Sequence, residues 1–293
     1  MASLQDLKTR INSVKSTQKI TSAMKMVAAA KLRRAQESAE KGRPYAERMG
    51  QVIASLAGKA DPSSAPALLV GNGKQDTHLL VAMSADRGLC GGFNGSITRQ
   101  TRAEVKRLQS EGKTVKLLMV GRKSADSLRR EFGDLFIDNL EGIQGTTVSF
   151  GDAAAIGKTI LDGFEAGEFD VCTMIFNQFK SVIAQEVTLT TLIPAEVSGT
   201  TGADADADGV SYDYEPDEEE LLASLLPRNI STQLYSALLE SSASELAARM
   251  TAMDNATRNA GDLIDRLTLV YNRTRQATIT KELIEIISGA EAV

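Results

Sequence analysis

A glycine-rich turn at residues 84–96, SADRGLCGGFNGS, is the first place in this sequence where chemistry could occur. It follows a predicted strand and precedes a predicted helix, the position of phosphate-binding loops in nucleotide-binding folds. Its glycine spacing matches neither GxGxxG nor GxxxxGK[ST], and no acid ends the next predicted strand to hold a ribose. We therefore favour a tight turn that serves packing or a protein contact, with Arg87 as its most informative side chain. Nucleotide binding stays open as the alternative.

An acidic segment, DADADGVSYDYE at residues 204–215, matches the letter pattern of an EF-hand calcium loop. The candidate ligand positions are Asp204, Asp206, Asp208 and Glu215, with Gly209 at the turn. The context is poor, because the segment is entered from a Thr- and Gly-rich stretch and Pro216 disturbs any exiting helix. A solvated acidic loop is favoured over a calcium site, and we predict no bound metal.

No other group of residues forms a catalytic pattern. The single histidine, His78, begins a predicted strand and is interpreted as structural. Cys90 and Cys172 stand far apart without a CxxC pair, so both are expected to be reduced core thiols. GxSxG and HExxH are absent. The sequence therefore predicts a noncatalytic protein without a cofactor.

Residues 75–197 alternate strands with helices, which indicates an α/β domain on a mostly parallel sheet. Strands are predicted in HLLVAMSAD, TVKLLMVG, FDVCTMIFNQF and IAQEVTLTTLIP, and helices at 94–110, 122–132 and 150–166. A Gly-, Pro- and Ser-rich boundary at 58–76 precedes this domain, and an acidic loop at 198–220 follows it.

Both termini are predicted to be long helices, at residues 1–58 and 221–293, the second clearest from Arg228 to Ser288. Apolar residues recur at spacings of 3 and 4, which is the period of a coiled-coil seam. The predicted seams are Leu4, Leu7, Ile11, Val14, Ile20, Met24, Val27 and Leu32, and Leu263, Leu267, Val270, Thr274 and Ala277, continued by Ile279, Leu283 and Ile286. The predicted fold is an antiparallel coiled coil of the two terminal helices, with a Rossmann-like α/β domain inserted between them in the sequence.

The charge distribution raises a separate question of partners. Residues 1–60 contain 12 Lys and Arg against 4 Asp and Glu, whereas the whole chain has a net charge of −5. A basic helix can bind nucleic acid or a membrane surface, but Ala and Met interrupt the charges of the first helix, and its apolar residues are mostly small. Lys25, Lys31, Arg33 and Arg34 are interpreted as a solvated flank. No apolar run approaches the ~20 residues that span a bilayer, so a soluble, unprocessed chain is expected.

Five segments in order along the chain resemble the gamma subunits of F-type ATP synthases of the bacterial type. These segments are TQKITSAMKMVAAAKLRRAQ, RPYAER, SADRGLCGGFN, ESSASELAARMTAMDNATRNA and LVYNRTRQATITKELIEIISGAEAV. The resemblance implies a central rotor shaft whose coiled coil passes through a ring of alpha and beta subunits. Rotation of this shaft would couple proton flow to ATP synthesis or hydrolysis.

The resemblance also implies roles for particular residues and partners. Contacts with the beta subunits are implied for Met24, Arg87, Arg275, Gln276 and Thr280, and contacts with the c ring for Tyr212, Tyr214 and Glu215. The implied partners are the alpha, beta and epsilon subunits and the c-subunit ring, without nucleic acid. One side of the shaft, which we call its smooth side, is expected to expose little apolar area to the surrounding subunits. Its predicted residues are small: Ala28 to Ala30, Ser241, Ser242 and Ala243. The implied location is the cytoplasmic face of the bacterial plasma membrane, with membrane association only through the complex.

Overall fold

The computed structural model describes residues 3–59, 66–143, 148–195 and 218–291. They form two compact units: residues 1–30 with 249–293, and residues 31–248. Two helices are shared by both units, α1 (Leu4–Lys59) and α6 (Glu218–Glu291). The predicted fold class, two long terminal helices around an α/β domain with a mostly parallel sheet, is confirmed.

The second unit contains a five-stranded sheet. In chain order its elements are α2 (Ala67–Val70), β1 (Thr77–Met83), α3 (Phe93–Ser110), β2 (Thr114–Val120), α4 (Arg122–Phe132), a 3₁₀ turn (Gly133–Leu135), β3 (Phe136–Leu140), α5 (Phe150–Glu165), β4 (Val171–Phe179) and β5 (Gln185–Ile193). The strand order is β3-β2-β1-β4-β5, with the first four strands parallel and β5 antiparallel to β4. Helical crossovers join the parallel strands, as this geometry requires.

Both faces of the sheet are covered, which explains why its central strands are continuous apolar runs. Alternate residues of β1 point to opposite sides: Leu79 and Val81 pack with α5 and α6, whereas Leu80 and Ala82 pack with α3 and α4. A smaller cluster, Met49, Ile53, Leu69, Ala195 and Leu226, joins α1, α2 and α6 within the same unit.

In the first unit α1 and α6 run antiparallel. The hydroxyl of Thr257 donates to that of Thr21 at 2.8 Å, and Lys25 Nζ lies 2.6 Å from Asp254 Oδ1. Further along, Leu7 and Ile11 pack against Leu267. Residue numbers therefore fall along α6 as they rise along α1, which agrees with the predicted direction.

The observed seam of this coil differs from the predicted one. On α1 the inward positions are Leu7, Ile11, Val14, Gln18, Thr21, Lys25 and Ala28, and on α6 they are Met253, Thr257, Ala260, Ile264, Leu267, Tyr271 and Thr274. Both series keep a strict 4,3 heptad spacing. The predicted shift of the α1 seam to Ile20 and Val27 is wrong, since both side chains are more than half exposed. Leu263, Val270 and Ala277 also face outward on α6.

The smooth-side prediction for small residues needs a similar correction. Ala28 lies in the seam with 1% of its surface exposed, Ala29 is half-buried, and Ala30 is exposed. Ser241 and Ala243 are buried within the second unit, where α6 packs beside the sheet domain, and Ser242 is half-buried. Their small size thus allows close packing inside the protein.

The long helices lie close to the predicted ranges of 1–58 and 221–293. Helix α6 begins at Glu218 and continues through Pro227. Helix α1 likewise continues through Pro44. Strand β3 and helix α2 were not predicted at all.

Gly121, between β2 and α4, has a backbone conformation and surroundings that only glycine fits. Its φ is +95°, and a Cβ there would lie 1.8 Å from the carbonyl oxygen of Ser84. We predict that Gly121→Ala lowers the free energy of unfolding by about 3 kcal/mol or more, because backbone strain and overpacking add.

Gly112→Ala is the matched control for this substitution. Gly112 also has a positive φ, +75°, but a Cβ would meet no atom within 4 Å. Gly112→Ala should lower the free energy of unfolding only by the strain of the left-handed backbone conformation, about 1–2 kcal/mol. Urea unfolding of both variants measures the difference, and equal costs would show that the contact with Ser84 relaxes freely.

Candidate functional site

The glycine turn lies between β1 and α3 and is held by two polar side chains. Asn94 Oδ1 accepts from the backbone N–H of Ala85 at 2.9 Å, and its Nδ2 donates to the carbonyl oxygen of Arg87 at 3.2 Å. The Asp86 carboxylate accepts from the N–H groups of Arg122 and Gly142, at 3.1 and 3.0 Å. The turn is thereby fixed to α4 and to the end of β3.

This geometry favours a contact turn over a phosphate-binding loop. Side-chain and backbone acceptors already engage the N–H groups of Ala85, Phe93 and Ser96. The Asp86 carboxylate in the turn would also repel a phosphate group. The nucleotide alternative therefore gains no support from the arrangement.

Arg87 and Leu89 project from the outer part of the turn. Leu89 has a φ of +65° and 65% of its surface exposed, which is unusual for a bulky apolar residue. Arg87 is exposed, and its guanidinium forms no ion pair with the residues that the structure describes. A cation beside an exposed apolar side chain on a fixed turn is suited to contact with another protein.

The other predicted contact residues lie on the coil formed by residues 3–30 and 249–291. Met24 is half-buried beside the seam on α1. Arg275, Gln276 and Thr280 are exposed on α6, and the Thr280 hydroxyl donates to the Gln276 carbonyl oxygen. Met24 is level with the region of Asp254, so Arg275 lies about 30 Å farther along the axis at ~1.5 Å per residue. These residues mark separate levels of one surface and do not form a single site.

The C-terminal end of α6 extends past the N-terminal end of α1. Because Thr21 is opposite Thr257, Leu4 is level with about residue 274, and some 25 Å of α6 continues beyond it. This segment, residues 275–291, contains Arg275, Gln276 and Thr280. It also presents exposed apolar side chains at Ile279, Leu283, Ile284, Ile286 and Ile287.

Lys25 is a seam residue and not part of the solvated flank that was predicted. Its ammonium lies 2.6 Å from Asp254, whose other carboxylate oxygen lies 3.1 Å from Arg258. The hydrogen bond from Lys25 holds the pKa of Asp254 below its usual value. Lys31, Arg33 and Arg34 are exposed, as predicted, and Arg33 pairs with Glu37 on the same helix.

The remaining candidate residues have structural environments. His78 Nε2 contacts the Gln75 carbonyl oxygen, and partial burial lowers the pKa of the ring. Cys90 and Cys172 are buried, and burial raises the pKa of the Cys172 thiol. Within the described ranges no cluster of His, Cys, Asp or Glu could hold a metal, and no helix is long and apolar enough to cross a membrane. Tyr212, Tyr214, Glu215 and the possible calcium loop lie outside the described residues.

A family model described as ATP synthase matches residues 3–293. The chain is 58% identical to the ATP synthase gamma chain of Rhizobium rhizogenes over 294 residues and 57% identical to that of Rhodospirillum rubrum over 299, with 100% of each chain covered. This chain belongs to the ATP synthase gamma chain family. A gamma chain is a subunit of the ATP synthase complex, and the bacterial relatives confirm the resemblance seen in the sequence.

Solved structures show the same fold. A chain of the Tetrahymena thermophila mitochondrial ATP synthase central stalk and c-ring structure is 33% identical, with a TM-score of 0.60, and the match covers 81% of this chain and 99% of that one. A chain from a Euglena gracilis mitochondrial ATP synthase structure has a TM-score of 0.67 at 19% identity, covering 99% of this chain and 94% of that one. The gamma chain fold is thus shared at both levels of identity.

Sequence reasoning missed Asp86, Asn94 and Leu89 as determinants of the turn. Asn94 stands two residues after Gly92, and side-chain capping of a turn by Asn is a recognisable signal. It also missed the Lys25–Asp254 pair, because the two residues are 229 positions apart.

We predict that Lys25→Met lowers the melting temperature of the chain near pH 7 and has a smaller effect near pH 3. The pKa of Asp254 is lowered in the folded state, so the pair stabilises the coil above the unfolded pKa and this stabilisation is lost as the pH falls. Circular dichroism melts at both pH values measure the difference. Lys19→Met, on the exposed side of α1, is the control and should show no such pH dependence. A pH-independent effect of Lys25→Met would contradict the role of the ion pair.

Proposed function

We propose that this gamma chain is the noncatalytic rotor shaft of a bacterial F-type ATP synthase. By rotation it couples proton flow through the c ring to ATP synthesis or hydrolysis at sites formed by the alpha and beta subunits. The observation that supports this most directly is the end of α6 that continues past α1. Five exposed apolar residues in this short helical segment are a surface that is normally covered by protein.

The side chains of this segment fit a surrounding protein sleeve. The apolar residues at 279, 283 and 286 repeat at spacings of 4 and 3, while Arg275 and Gln276 add polar contacts at its base. Two apolar surfaces of modest contact area can slide past each other, since dispersion and hydrophobic attraction are not directional. A ring of alpha and beta subunits would supply such a sleeve.

Arg87, Arg275, Gln276, Thr280 and Met24 are proposed to contact beta subunits in this assembly. Exposed ion pairs contribute only ~0–1 kcal/mol each, so contacts of Arg87 and Arg275 with acidic loops can form and break during each step. Tyr212, Tyr214 and Glu215 are proposed to contact the c ring, and the epsilon subunit is proposed as a further partner. The complex would hold the chain at the cytoplasmic face of the plasma membrane.

Reconstitution tests the proposal as a whole. The purified chain, mixed with the alpha and beta subunits of the same organism, should give a complex that hydrolyses ATP. ATPase activity is measured with and without the chain, and size-exclusion chromatography reports assembly. A complex that forms and is active without the chain would contradict the proposed role.

We predict that Arg87→Glu and Arg275→Glu each lower ATP-driven proton pumping in the whole complex by about two- to fivefold, which corresponds to the loss of one exposed ion pair. The melting temperature of the isolated chain should not change, because neither guanidinium has an ion-pair partner among the described residues. Arg130→Glu, an exposed charge reversal on α4 outside the proposed contacts, is the control. Unchanged pumping in both contact variants would show that these contacts are dispensable.

A further inference from the structure

An apolar pocket of about 220 Å³ opens on the second unit, among α1, α5 and α6. It is unrelated to the glycine turn and to the end of α6. Its lining residues are Ala39, Gly42, Tyr45, Phe150, Thr232, Tyr235, Ser236 and Leu239. The volume is sufficient for one large apolar side chain.

Aromatic residues are concentrated at this pocket. The chain has only 5 Tyr, 8 Phe and no Trp, yet Tyr45, Phe150 and Tyr235 all line it. Phe150 and Tyr235 meet edge to face with ring centroids 5.8 Å apart. Tyr45 and Phe150 are nevertheless 45% and 44% exposed. Exposed aromatic rings around a small concavity are typical of the few residues that dominate binding in protein interfaces.

One cation lies beside the pocket. The Arg228 guanidinium lies 5.9 Å from the centre of the Tyr45 ring and has no ion-pair partner among the described residues. The charges on the flanking part of α1 are mixed, since Glu40 precedes Lys41 and Glu47 precedes Arg48 in the sequence. Arg228 is therefore the group that a carboxylate on the occupant can pair with.

The shape of the pocket indicates a helical occupant. Its lining residues on α1 are spaced by three, at 39, 42 and 45, and those on α6 lie at 232, 235, 236 and 239. They form two neighbouring helical stripes, with Phe150 at the start of α5 completing the wall. A groove between two helices accepts the apolar face of a third, amphipathic helix.

We propose that this pocket binds an amphipathic helix of another ATP synthase subunit that carries a carboxylate beside its apolar face. One large apolar side chain of that helix enters between Tyr45, Phe150 and Tyr235, and a carboxylate within one helical turn of it pairs with Arg228. The inference rests on the proposed function, since it requires the assembled complex, but it adds a specific docking site and the chemistry of its occupant.

Cysteine alkylation tests whether the pocket is covered. Gly42→Cys places a thiol in the pocket without a clash, since a Cβ there is 3.8 Å from Leu239 Cδ1. With N-ethylmaleimide we expect rapid labelling in the isolated chain and labelling slower by about tenfold or more in the assembled complex, as in a buried interface core. Gly50→Cys, on the same helix with no atom within 4 Å of its Cβ, is the control and should change far less.

Carbodiimide crosslinking tests the chemistry of the occupant. Arg228→Lys keeps the positive charge and supplies an amine that a carbodiimide joins to a neighbouring carboxylate. In the purified complex we expect a crosslink to an Asp or Glu of another subunit, and mass spectrometry should find a large apolar residue within one helical turn of it.

The outcomes separate this inference from the proposed function. If the chain does not assemble with alpha and beta subunits, both the proposed function and the docking site are contradicted. If it assembles but Gly42→Cys labels equally fast in the complex, or is protected no more than Gly50→Cys, only the docking site is overturned. Crosslinks confined to this chain or to a second copy of it, or no crosslink at all, also overturn the docking site.

Discussion

The antiparallel pairing of α1 with α6 in the unit of residues 3–30 and 249–291 is the constraint on which the surface of the coil depends. At one end Leu7, Ile11 and Leu267 form a small apolar cluster. Further along, the small residues Thr21, Ala28 and Ala260 share the seam with Gln18, Lys25 and Met253, so this part buries less apolar area per residue. Neither stripe could stabilise a helix of this length alone in water. Pairing therefore stabilises both helices together and decides which side chains face outward.

The outward side chains are larger and more apolar than several of those in the seam. Ile20, Met26 and Val27 on α1 and Val270 on α6 are exposed, while Thr21, Ala28 and Ala260 are buried. A coiled coil that functions in water has the reverse arrangement, with its large apolar residues at the seam positions. Small residues inside and large apolar residues outside are explained if other subunits surround much of the coil.

The sequence predicted the α/β domain well because its signals are local. The buried runs of β1, β2 and β4 and the periodic helices α3 to α5 each carry their own pattern, and parallel pairing follows from their alternation. Strand β3, with sequence FIDNL, is a short edge strand whose polar residues hide the pattern. The predicted terminal helices, at 1–58 and 221–293, match the observed α1 and α6 closely, because long stretches with periodic apolar residues are also a local signal. The position of the glycine turn was predictable, whereas its attachment through Asp86 to Gly142 depends on tertiary structure.

The coil seam was only partly predictable, because Ile20, Met24 and Val27 form a second stripe on α1 with spacings of 4 and 3. Hydrophobicity alone favours the stripe with Ile20 and Val27, but the partner helix selects the one with Thr21 and Lys25. Thr257 and Asp254 lie opposite those two residues and satisfy their polar groups. These pairs also favour the observed register, since a slip by one turn would separate Lys25 from Asp254 and Thr21 from Thr257. Polar contacts of this kind oppose sliding of one helix along the other, which agrees with the rotor shaft that we propose.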